Sequence, residues 1–127
     1  MKIKIVALAA AIAAPLAAIT AAPALAHHSF AMFDNQKEVQ LVGTVKDFQW
    51  TNPHTWIQVV VPDAQGAGMS EWSIEGGNPG DLARRGWKKT SLKPGDKVTV
   101  HIHPMKNGTN GGSLVGVTLA DGTVVGR

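Results

Sequence analysis

The chain has 127 residues, with 12 Lys+Arg against 9 Asp+Glu, five His and no Cys. That length fits one domain. The missing Cys exclude a disulfide framework, a zinc ribbon, an iron–sulfur cluster, a blue-copper thiolate and a cysteine nucleophile. A hydrophobic share of 44% with 17% charged residues is that of a globular chain.

Lys2 and Lys4 form a short positive start, and residues 5–19 carry no charge. Ala24-Leu25-Ala26 then places small residues where a signal peptidase needs them, and His27-His28-Ser29 turns polar. The pattern predicts a cleaved secretory signal over 1–26, cut after Ala26, and a periplasmic or secreted protein. The competing reading, a membrane anchor, is weakened by Pro15, Pro23 and an Ala-rich run barely long enough to span a bilayer. No stable anchor is therefore expected after cleavage. Both charges lost with the leader are lysines, so 10 basic and 9 acidic residues remain. So small a positive balance gives no footprint for nucleic acid.

Residues 27–37 read as a free N-terminal arm and 38–127 as the folded domain. From residue 39 to 50 apolar and polar residues alternate, with Val39, Leu41 and Val45 on one parity, and Gly43 suggests a bulge or bend. Thr51-Asn52-Pro53-His54 is turn chemistry. A second strand is predicted over 55–61, with Ile57, Val59 and Val61 inward and His54, Trp56 and Gln58 on the other face. A third covers 70–74. A helix is predicted over 79–85: Asn78 caps it, Pro79 suits its first position, Asp81 and Arg84 match its dipole, and Gly86 ends it. Lys93-Pro94-Gly95-Asp96 launches a fourth strand over 97–103. Residues 107–112 read as a Gly/Asn loop, 113–119 as a fifth strand, and Asp121-Gly122 as a hairpin turn. Three strands, a helix and two strands define an all-β class with one short helix, an OB-like five-stranded Greek-key barrel, with a two-sheet sandwich as the runner-up.

HHSFAMFD (27–34), GTV-x-x-F-x-W-x-NPH (43–54), NPGDLARRGW (78–87), LKPGD-x-V-x-V (92–100), HP-x-x-x-G (103–108) and VTLADG (117–122) together resemble an uncharacterised family of small exported bacterial proteins. The resemblance implies a compartment and a domain type, and carries over no catalytic residue.

All five His, at His27, His28, His54, His101 and His103, lie beyond the predicted cut. With cleavage after Ala26, His27 offers an α-amine and an imidazole to one ion, and a third imidazole completes a nitrogen set suited to Cu(II). His101 and His103, two apart on a strand, point away from Val98, Val100 and Ile102, and His54 shares the outward parity of Trp56. The expected metal set is His27, His28, His54, His101 and His103, with copper as the ion. The thioethers of Met32 and Met105 would favour Cu(I), and zinc with Asp34 is a lesser option. The bland alternatives are a polar arm, a turn imidazole and solvent-facing strand residues.

Trp50, Trp56, Trp72 and Trp87 could offer a stacking surface, though Trp is more often core. Glu71 and Glu75 share a strand face and could do acid–base work. Asn107-Gly108-Thr109 fits a glycosylation acceptor but is more simply a turn. No nucleophile elbow, HExxH helix or phosphate loop occurs. The expected role is an exported binding protein, possibly for copper, whose partner is a metal ion or an unknown exported protein. The alternative is a non-metal ligand or interaction module using exposed Trp. Nothing in the sequence points to turnover; a copper-dependent oxidative enzyme is the third possibility.

Overall fold

The computed structural model describes residues 30–126. The predicted leader, its cut, and His27 and His28 lie outside those residues. A 3-10 turn at Phe30–Met32 precedes β1 (Val39–Gln49), β2 (Trp56–Pro62), β3 (Met69–Glu75), α1 (Pro79–Arg84), β4 (Lys97–Pro104), β5 (Gly111–Leu119) and a short β6 (Val124–Val125).

The antiparallel ladders run β3-β2-β1-β4-β5, and a parallel pairing of β3 with β5 closes the ring. This is the five-stranded OB-like barrel expected from the element order. β6 adds two residues to the outer edge of β5.

β1 serves two neighbours in turn. Its residues Val39 to Thr44 pair with β4, and Thr44 to Gln49 pair with β2. The strand must bend where partners change, and Gly43 sits there. A Cβ at Gly43 would lie 2.4 Å from the Val60 carbonyl oxygen, so only glycine allows that approach. The bulge itself falls between Val45 and Asp47.

The core follows the predicted parities. Leu41 and Val45 of β1, Ile57 and Val59 of β2, Ile74 of β3, and Val98, Val100 and Ile102 of β4 are all buried. At about 25 cal/mol per Å² of apolar surface, such burial is the main favourable term available to a chain without disulfides.

α1 forms for the reasons its sequence gives. The Asn78 side chain accepts from the Asp81 N–H at 2.9 Å, Pro79 needs no donor in the first turn, and Arg84 pairs with Asp81. Gly86 leaves the helix with φ +89°, the left-handed conformation that favours glycine. Leu82, Trp87 and Leu92 drop from this segment into the core, where Trp87 meets Phe48 at 5.8 Å between ring centroids.

Two expectations are corrected. Residues 111 and 112 are strand rather than loop: a Cβ at Gly111 would sit 3.3 Å from the Ser73 carbonyl oxygen, and one at Gly112 would sit 2.7 Å from that of His103. Gly111 lets β5 approach β3, and Gly112 lets it approach β4. The arm is also docked, at Met32 to Asp34, rather than free. Phe33 is 3% exposed and bridges to Met105, while the Asp34 N–H donates to Pro104 and the Lys106 N–H to Met32.

Candidate functional site

The three described histidines stand in different settings. His101 is buried on β4, facing away from the core as its parity predicts. Its Nδ1–H donates to the Glu38 carboxylate at 3.2 Å, and its Nε2 accepts from the Thr118 hydroxyl at 3.1 Å. Gly116 of β5 is its register partner. Both ring nitrogens thus serve the sheet.

His103, half-buried, donates its Nδ1–H to the Lys37 carbonyl at 2.6 Å. That bond fixes the tautomer in which Nε2 carries the lone pair. His54 follows the turn into β2. Its Nδ1 lies 3.2 Å from the Gly76 carbonyl oxygen and 3.3 Å from the Glu75 carboxylate. Glu75 is 7% exposed, so the pair is largely out of water. Among the described residues no three His, Asp or Glu side chains gather into a group able to hold a metal ion.

A cavity of about 240 Å³ lies where the arm crosses the β3–β5 seam. Met32 and Phe33 of the arm, Met105 after β4, Trp56 of β2 and Ser73 and Glu75 of β3 line it together with 109–112. Glu75 is the one acid in the lining, and no Lys or Arg lines it. In OB barrels the face of strands 2 and 3, with the loop joining strands 4 and 5, is where ligands commonly bind, and this cavity occupies that position by analogy of fold. A larger hollow of about 390 Å³, bordered by Val42, Met69, Lys97 and Thr118, contains no His or acid.

The other candidates resolve separately. Trp87 is core; Trp50 and Trp72 pack partly buried against it; Trp56 alone of the four lines the cavity. Glu71 is exposed and paired with Lys46 at 2.7 Å, so it shares neither burial nor partner with Glu75. The Asn107 side chain accepts from the Thr109 N–H and hydroxyl, closing the turn on itself. Asp121 at the β5–β6 turn is held below the ordinary carboxylate range by the Thr123 N–H at 2.8 Å and, next, by the Thr123 hydroxyl.

Sequence reasoning named Glu75 without its burial and missed the anchored Phe33. The signal for both was tertiary: Glu75 ends the strand that seals the ring, and Phe33 stands six residues before β1, where no strand parity exists to mark burial.

The fold and cavity define a small OB-like barrel with an N-terminal strap laid over its seam. Residues 15–114 match the model of a family of unknown function, DUF6152, and the chain belongs to that family. No match was found among curated proteins or among solved structures.

Proposed function

We propose that this protein is exported and binds copper, with His27 and His28 at the mature N-terminus and His103 of β4 supplying imidazoles. The signal pattern over 1–26 supports export to the periplasm or beyond, and a cut after Ala26 would free the His27 amine. The observation that carries the reading is the docked arm. Phe33 and the Pro104 and Lys106 backbone bonds anchor the chain beside the end of β4. Phe30 is three chain steps from His27, about 10 Å of extended chain at most, so an ion held at the N-terminus stays near that edge.

His103 is the strand histidine suited to join, because its Nδ1–H is already taken by a backbone carbonyl and its Nε2 is oriented. In this reading His101 is a strut between Glu38 and Thr118, and His54 orients Glu75. An amine and imidazoles favour Cu(II) over other divalent ions. The work done is capture or delivery of the ion.

The test is Cu(II) titration followed by EPR, on protein beginning at His27 and on the same protein carrying one extra N-terminal Ala. Tight binding with nitrogen hyperfine structure, weakened by the added Ala and by His103→Ala, is expected. Absence of binding by either protein overturns the copper reading. The second reading, a non-metal ligand or interaction module, rests on Trp56 in the cavity, and would be favoured if Trp56→Ala alone abolished binding of an exported partner.

A further inference from the structure

We infer that the cavity under the arm is a second, softer site, in which the thioethers of Met32 and Met105 and the indole of Trp56 hold a monovalent cation of the Cu(I) or Ag(I) class. The reading rests on different residues from the histidine site and stands without it.

Two of the three methionines that follow the predicted leader line this one cavity, from segments more than seventy residues apart in the chain. Met32 comes from the arm and Met105 from the turn after β4, brought together by the Phe33–Met105 bridge. Met105 lies across Gly111, where a Cβ would come within 3.2 Å of its Cγ. The bare glycine thus gives the thioether its place. Thioethers are soft, polarizable ligands that select Cu(I) over hard ions, and their unbranched chains adapt to a bound guest.

The rest of the lining fits the same charge. Trp56 is in the lining, and indole is the ring that best attracts a cation. Glu75 is the only acidic group lining the space, and no basic side chain lines it to repel a cation. A hard ion such as calcium would want six or more oxygens, which this lining does not offer. The arm makes one wall, so the site exists only while Phe33 is seated.

The experiment is an Ag(I) titration, Ag(I) being a redox-inert ion of the same class, on full-length mature protein carrying ¹³C-labelled methionine methyls. Met32 and Met105 should shift together and saturate at one equivalent, while Met69, which is 58% exposed and borders the other hollow, stays in place. Replacing methionine by norleucine keeps the side-chain shape and removes sulfur, so it should abolish saturable Ag(I) binding at the cavity with the unfolding midpoint retained. Adding Ala before His27 should weaken Cu(II) and leave the Ag(I) shifts alone. The site is overturned if no methyl shifts, if Met69 shifts as strongly as the other two, if norleucine leaves affinity intact, or if the added Ala abolishes the Ag(I) response.

Discussion

The helix side and the arm side of the barrel are closed by opposite means. On the helix side, Leu82, Trp87 and Leu92 fill the space with carbon, and Phe48 and Trp50 pack alongside. The cost of that seal is visible: the Trp87 Nε1 is buried with no hydrogen-bond partner among the described residues. On the arm side, one buried ring, Phe33, anchors a strap, and the space beneath it keeps thioethers, an indole and a carboxyl around a cavity. One side is built for density and the other for access. The contrast teaches where to look for chemistry in a small barrel: at the closure left partly open.

The contrast breaks most visibly at Trp87. Trp87→Ala should cost about 4 kcal/mol, from lost burial and the cavity left behind, measured by urea unfolding. Equal stability of this variant and wild type would deny the helix side its role as the seal. Phe33→Ala should cost less, about 2 kcal/mol, because a strap can lift without unfolding the ring. Hydrogen exchange sharpens the point: the Asp34 and Lys106 amides should lose protection while Val100 keeps its own. Global loss of protection in that variant would mean the arm is part of the core.

Smaller effects probe the ends. Asn78→Ala removes the cap of α1 and should lower stability by about 1 kcal/mol, read from the thermal midpoint. Asp121 gives the smallest. Its carboxyl titrates below its unfolded value because Thr123 donates to the charged form, so its contribution is present above the ordinary aspartate range and is lost as pH falls through the folded value. Asp121→Asn should flatten the acid limb of the stability–pH curve without moving the neutral value much. An unchanged limb would show that the turn bond does not distinguish folded from unfolded chain.

Much of the barrel was legible because its signals are local. Alternation marked β1, β2 and β4, and Asn78, Pro79 and Gly86 framed α1 within a residue. What stayed hidden depends on residues far apart in sequence. Gly111 and Gly112 read as loop because a glycine pair is also what a tight strand seam needs, and only β3 reveals which. His101 read as an outward histidine, correct in parity, yet Glu38 and Thr118 cover it from 63 and 17 residues away. The arm was read as free because Phe30, Met32 and Phe33 in so short a segment set no period to betray which one is buried. The cavity was invisible as a cavity, although both thioethers were named as soft donors from the sequence.

β1 has a kinetic consequence. Val39 pairs with Ile102, and the ring closes only when Ser73 meets Gly111. During synthesis, therefore, no earlier length of chain can finish the barrel: β1 stays half-paired until β4 emerges, and the ring stays open until β5 follows. Such distant pairings slow folding toward the millisecond-to-second range typical of non-local β proteins. The polypeptide thus spends its growth as an open chain, with β1 holding one edge in wait for a partner some sixty residues behind it.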